Sequence, residues 1–415
     1  MLVRLGRALC LVAAFLLAAR GAPQRRIHLY TFSDTVPHPG LCVLAEATSE
    51  LGGVLRVIGL SKRPGYILIH SHSPTLKFLM LQEVVEYEMS VGRIAADDLM
   101  LFADGHDVLL QRPLAELVEA YERFPGSPYL ISGEKNCWPW PHSDPSHGGW
   151  DPGMEVDPNK TWEVHRWLQL GPMDFCRAVV QRGPYRYPNI GLSMGPVERV
   201  LEVLRRNNRI VLDEDVNDQG AMWLVILRHA VELNIEIDQN AEVFLNMLEY
   251  KPGELEREPC DSSWFAPRST DESVGDQSGQ ARARVPPRVL RTNSTPAAVH
   301  FNGPSHEDDV WPECYRAFSS EFRGADRGHA FYDVDHQILV STDAICDYSW
   351  YHIRDFHAHP LHRGTLDFLE EFYKLPVDPG LVAWRGSTSA VDAVRLGREA
   401  DLHTSSPELH KAMGL

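Results

Sequence analysis

Apolar residues in this chain gather in short runs divided by polar turns, and two spacings recur among them. Residues 27–32, 55–60, 99–103 and 129–132 are runs of strand length, and 99–103 is apolar throughout, as expected of a strand buried on both faces. Residues 41–50 and 76–91 fit helices lying between those strands, the second with its apolar positions on a helical period. A further helix is expected to start at Pro113, where the missing N–H does no harm. Others are expected over 196–206, bounded by Asn207 and Asn208, and from the acid-rich segment 213–219 through Leu227. Strand, helix, strand is the opening of a nucleotide-binding α/β unit, so the pattern predicts an α/β fold. The pattern breaks over 251–296, rich in Ser, Arg, Pro, Asp and Glu, which reads as a mobile insertion. It resumes at 297–304 as a short strand running into a turn.

The run at 99–103 stops abruptly at Asp104, and Gly105, His106 and Asp107 follow. Two acids therefore stand at the carboxyl end of a buried strand, which is where open α/β sheets bind ligands. Carboxylates about 4 Å apart repel by about 4 kcal/mol at an effective dielectric near 20, so a shared cation is the natural relief. Oxygen ligands of this kind suit magnesium or manganese, which keep positions open for a substrate phosphate. A polar turn leaving a strand has the same composition, and the pattern alone leaves both readings standing. Asp215 and Asp218 similarly suit a helix N-terminus, and His300 at a strand end suits either a ligand or a hydrogen-bonded structural role.

The formal net charge of −17 excludes nucleic acid or an anionic membrane as the main partner, because both require clustered Lys and Arg. An acidic chain that handles a phosphorylated ligand must do so through a metal or a few local cations. Neither a dinucleotide glycine fingerprint nor a Walker motif occurs. At the start, Arg4 and Arg7 precede an apolar stretch at 8–19 and the small residues Ala19 and Gly21, the order of a secretory signal peptide over 1–21. That stretch is too short for a comfortable transmembrane span, and nothing after it is long or apolar enough for one. Six cysteines remain after residue 21, an even number that suggests disulfides with no pairing favoured. Asn159 and Asn293 head glycosylation tripeptides, consistent with an endoplasmic-reticulum lumenal or secreted protein. The loop around Trp138 and Trp140 fits a sugar-stacking platform or a proline-braced core plug. The segment 185–195 fits a close backbone approach or an ordinary turn.

Five separated segments fall into one order. They are the strand ending in Asp104-Gly105-His106-Asp107, then Ile131-Ser132-Gly133-Glu134 leading to Cys137-Trp138-Pro139, and Arg186-Tyr187-Pro188-Asn189-Ile190-Gly191. Asn217-Asp218-Gln219 precedes an apolar helix, and Val299-His300-Phe301-Asn302-Gly303-Pro304 closes the set. Over residues 26–304, with the insertion excluded, the chain resembles the glycosyltransferase domain of the procollagen lysyl hydroxylase/glycosyltransferase family. The resemblance implies a GT-A-like nucleotide-sugar-binding domain with a mixed central sheet over 22–310, and leaves 311–415 as a C-terminal extension. It also implies Mn²⁺ held by Asp104, Asp107 and His300, a UDP-sugar donor, and a protein or glycoprotein acceptor of the collagen type, galactosylhydroxylysine receiving glucose. By the same resemblance His106 would stack on uracil, Thr31 would contact the nucleotide, and Gly303 would let backbone N–H groups approach the phosphates. Glu134, Trp138, Asn189, Gly191, Gln219 and Asn302 would line the substrate side, with Asp218 as the catalytic carboxylate. The chain departs from the family where Ile190 and Leu192 flank Gly191, and where Asn217 replaces the first of two consecutive acids. Those departures keep open a second expectation, a catalytically weak nucleotide-sugar or glycan-binding module on the same fold.

Overall fold

The computed structural model describes residues 25–33, 38–60, 73–137, 183–214, 218–259, 287–303, 314, 329–342 and 346. In chain order the elements are β1 (Ile27–Phe32), α1 (Pro39–Glu50), β2 (Leu55–Ile58), α2 (Ser73–Ser90), β3 (Leu99–Ala103), β4 (Val108–Leu110), α3 (Leu114–Tyr121) and β5 (Tyr129–Glu134). Then come β6 (Tyr187–Pro196), α4 (Val197–Glu214), α5 (Asp218–His229), β7 (Ile235–Asp238), β8 (Phe244–Asn246), β9 (Ala298–His300), β10 (Ala330–Asp333) and β11 (Ile338–Ser341). Eight strands form one sheet in the order β11-β10-β2-β1-β3-β6-β5-β7, and β4-β9-β8 form a smaller one. The large sheet is mixed. β10, β2, β1 and β3 run parallel, and β6 then lies antiparallel between β3 and β5.

Strand periodicity decides which side chains meet which helices. On β3, Leu99, Leu101 and Ala103 join a core cluster with α1, α3 and the small sheet, whereas Met100 and Phe102 join α2, α4 and α5 on the other face. Phe102 lies against Phe78 of α2 with ring centroids 5.2 Å apart. Burying an aromatic or aliphatic side chain of this size contributes about 1.5–3 kcal/mol, so the apolar run at 99–103 sits where it removes most surface from water. Covered on both faces, it continues into polar residues only at its ends, at Asp98, which pairs with Arg26 and His28, and at Asp104 at the carboxyl end.

The turn-like segment 185–195 contains a strand. All ten residues of β6 are buried. Its ladder to β3 spans Leu192 to Pro196, so Pro188 lies beyond that pairing and faces β5 alone, and a bulge in the β5 register at Ile131/Ser132 accommodates the irregularity. The helix expected over 196–206 runs on through Asn207 and Asn208 to Glu214. Asn208 Nδ2 donates to Phe78 O (3.0 Å) and Gln82 Oε1 (2.8 Å), so a residue that reads as a helix stop instead ties α4 to α2.

Leu255 and Val289, inside the segment read as a mobile insertion, are buried core residues joined by an isolated bridge, and 260–286 lie outside the described residues. From the segment read as a C-terminal extension, β10 pairs parallel with β2 and β11 forms the end of the large sheet. Cys346 is disulfide-bonded to Cys42 of α1, and Cys137 and Cys314 are disulfide-bonded as well. The signal-peptide segment lies outside the described residues. Among the described residues no helix is long and apolar enough to cross a membrane.

Candidate metal centre

Asp104 is fixed where β3 ends, its N–H donating to Gly191 O of β6 (2.8 Å). Gly105 then turns the chain against the end of β1. A Cβ on it would lie 2.6 Å from Phe32 O and 2.9 Å from Thr31 Oγ1, so no larger residue fits without displacing that strand. The tight turn delivers Asp107 to the start of β4, where its carbonyl accepts from Phe301 N (2.9 Å). β4 pairs antiparallel with β9, setting Val108 opposite His300, and β9 pairs with β8, setting His300 beside Asn246. Two sheets thus converge on one point.

At that point Asp104, Asp107 and His300 each present a ligand atom, all within 4.8 Å of one another. His300 Nε2 lies 3.3 Å from Asp107 Oδ2 and 3.8 Å from Asp104 Oδ2. The histidine is buried and the acids are half-buried, which leaves the group open on the carboxylate side. The other ring nitrogen of His300, Nδ1, lies 2.8 Å from Asn246 Oδ1 and 3.1 Å from Asn189 Oδ1. Two carboxylates and an imidazole Nε2, with Nδ1 engaged elsewhere, form a donor set that fits a divalent transition ion such as Mn²⁺. Gly191 is the floor beneath the ring, since a Cβ there would lie 2.1 Å from His300 Cε1. Burial opposes a charge on His300, but the carboxylates of Asp107 and Asp104 outweigh burial and raise its pKa above the ordinary value.

Lys77 of α2 reaches the same centre, with Nζ 2.9 Å from Asp104 Oδ1 and 3.3 Å from Asp218 Oδ2. Burial works against its charge, yet Asp104 and Asp218 together raise its pKa, so Lys77 remains a cation. Asp218 opens α5, is buried, and accepts from Gln219 N (2.9 Å). Its own pKa is raised by burial and by Asp104, with Lys77 opposing both.

Beside the acids lies a hydrogen-bonded cluster built on Glu134, the last residue of β5. Its Oε2 accepts from Asn189 Nδ2 (3.0 Å) and Asn302 Nδ2 (2.9 Å), and its Oε1 from Gln219 Nε2 (3.0 Å). Burial pushes the Glu134 pKa up to about 8 even though the three amides and His300 favour its charged form. Asn189 links this cluster to the acids, because its oxygen faces His300 while its nitrogen faces Glu134.

The structure therefore gathers Asp104, Asp107, Glu134, Asn189, Gly191, Asp218, Gln219, His300 and Asn302 around one centre. Thr31 is fully buried and its hydroxyl donates to Ala103 O (2.7 Å), within the sheet. His106 stacks on His38, the N-cap of α1, with ring centroids 3.7 Å apart. Gly303 has a positive φ of 65°, and a Cβ on it would meet Leu248 Cδ1 at 2.5 Å. Trp138 lies outside the described residues. Ile190 and Leu192 are buried core side chains of β6. Lys77 and Asn246 are additions that motif reading does not supply. Lys77 is the only basic residue in α2, whose other charged residues are Glu83, Glu86 and Glu88, and that lone cation just before the apolar run 78–81 is the one signal that could have marked it. Asn246 ends a three-residue strand and carries no comparable signal.

No family model matches the chain. No curated protein matches it either. Among solved structures, the chain is similar to a glycosyltransferase involved in the glycosylation of the major capsid of PBCV-1, at 9% identity and a TM-score of 0.32, over 54% of this chain and 86% of that one. It is also similar to mouse xyloside xylosyltransferase 1 in its apo form, at 12% identity and a TM-score of 0.32, over 68% of this chain and 98% of that one.

Proposed function

We propose that this protein is a metal-dependent glycosyltransferase that moves a hexose from a UDP-sugar to a hydroxyl of a protein or of a protein-linked sugar. The observation that carries the reading is the convergence of Asp104, Asp107 and His300 with Lys77 and Asp218 at the carboxyl edge of the parallel strands. Asp104, Asp107 and His300 would hold the ion, for which Mn²⁺ is the reading best matched to two carboxylates and an imidazole. When bound, such an ion supplies positive charge to the oxygens of a diphosphate leaving group. Lys77, held as a cation by two carboxylates, adds a fixed charge on the same side, in a site where a preorganised donor is worth far more than in water. Asp218 stands next to it as the carboxylate for the reacting sugar. The family resemblance makes glucose the donor sugar and galactosylhydroxylysine of collagen-like chains the acceptor. The Cys42–Cys346 disulfide supports a location in the secretory pathway, whose compartments are oxidising.

The test is UDP release from a panel of UDP-sugars, with and without Mn²⁺ and collagen-type glycopeptides, comparing wild type with Asp107→Ala and Lys77→Met. The expected result is metal-dependent release from one donor, lost in Asp107→Ala and reduced about 100-fold in Lys77→Met. UDP bound in a metal-dependent way with no release from any donor would overturn the transferase and leave a nucleotide-sugar-binding module.

A further inference from the structure

The amide side chains around His300 fix one another's orientation. Asn246 Nδ2 donates to the backbone carbonyl of Gly133 (2.9 Å), so its oxygen must point the opposite way. Asn189 Nδ2 donates to Glu134 Oε2 (3.0 Å), and its oxygen accepts from Gly191 N (2.9 Å), which sets its orientation independently. Both oxygens then face the same atom, His300 Nδ1, at 2.8 and 3.1 Å. An Nδ1 without hydrogen would set its lone pair against two carbonyl oxygens, so the hydrogen belongs there.

We propose that Asn246 and Asn189 are positioning residues that lock His300 in its Nδ1–H tautomer, so that the Nε2 lone pair is delivered toward Asp104 and Asp107 for a divalent cation. The inference rests on the metal part of the functional reading and adds residues to it. Each part of the lock is tied to something that cannot easily turn: Asn246 to the β5 backbone, Asn189 to a glutamate carrying two other amide donors. Gly191 keeps the ring seated by leaving no side chain beneath it. A tautomer fixed before binding spares the ion the reorganisation of its ligand, and outer hydrogen bonds of this kind typically contribute 10- to 100-fold in metal affinity.

Asn246→Leu and Asn246→Asp separate this role from plain structural support. Both lose the bond to Gly133 O, and only the aspartate keeps an oxygen at Nδ1. Two measurements on the full chain decide the matter: ¹⁵N shifts of the His300 ring in metal-free protein at alkaline pH, and the Mn²⁺ dissociation constant from paramagnetic resonance of the free ion. The expected result is an Nδ1–H ring in wild type, Mn²⁺ affinity weakened about 10-fold or more in Asn246→Leu, and affinity within about 3-fold of wild type in Asn246→Asp. Equal losses in the two variants, or a wild-type ring carrying its hydrogen on Nε2, would overturn the lock while leaving the metal site intact. Wild-type protein that binds no Mn²⁺ would overturn the metal reading itself.

Discussion

Glu134 combines a buried carboxyl with three amide donors, and burial wins, pushing its pKa up to about 8. A carboxyl whose folded pKa lies above its unfolded value stabilises the fold most as the neutral acid. That contribution is complete below the unfolded value and is lost as pH rises through the folded one, at about 1.4 kcal/mol per unit of difference. Wild-type stability toward urea should therefore fall between about pH 5 and pH 8, and Glu134→Gln, which cannot ionise, should flatten that slope. Unfolding midpoints at the two ends of the range check it, and equal slopes in the two proteins would show that the slope arises elsewhere. Asp104 and Asp107 were legible in the sequence because two acids end a buried apolar run, whereas Glu134, Asn189, Gln219, His300 and Asn302 were named through the resemblance that their ordered segments carry. Lys77 was not, since its partners Asp104 and Asp218 are 27 and 141 positions away and no local pattern joins them.

Elements were legible where an apolar run or a helical period marks them locally. β3 lies where an uninterrupted apolar run predicted it, and β1 where a run broken only by His28 and Thr31 did. β9 lies inside the short strand expected at 297–304, whereas β4 and β8 have three residues each, too few to show a period, and their pairing with β9 is what defines them. The close backbone approach that 185–195 suggested holds at Gly191, under the His300 ring, but Pro188 and the glycines are turn residues when judged locally, and only the neighbours β3 and β5 make them a strand. The joint between α4 and α2 gives a test at this scale. Asn208→Leu removes both bonds to α2 and leaves Phe78 O without that donor, so stability should drop by about 1–3 kcal/mol in a chemical denaturation experiment. A change within error would mean that the two bonds add nothing to the apolar contacts and the Arg205–Glu86 ion pair that also join α4 to α2.

Over the whole molecule, one end of the large sheet is completed by β10 and β11, whose sequence lies more than a hundred residues beyond the other parallel strands they join. The Cys42–Cys346 bond spans 304 positions and clamps that late segment to α1. In the chain-entropy account, closing so long a loop destabilises the unfolded ensemble by an amount on the order of 5 kcal/mol. Cys346→Ser should accordingly lower the melting temperature by several degrees without weakening Mn²⁺ binding by the folded protein, because Asp104, Asp107 and His300 are held by β3, β4, β6 and β9. Calorimetry and paramagnetic resonance on the same preparation check both halves. A loss of metal affinity equal to that of Asp107→Ala would mean that the clamp, and not the sheet junction, positions the site.

By itself the sequence determined the α/β class, the strand that ends in acids, and the residue types able to hold a metal, because buried runs and stranded carboxylates are local facts of composition and spacing. Tertiary structure alone decided that a histidine 193 positions after Asp107 would face it, that a lysine from α2 would sit between two acids, and that Asn246 would share a histidine nitrogen with Asn189. Those are consequences of strand order and register, which depend on how distant segments share one core and leave no trace in any single stretch of the chain.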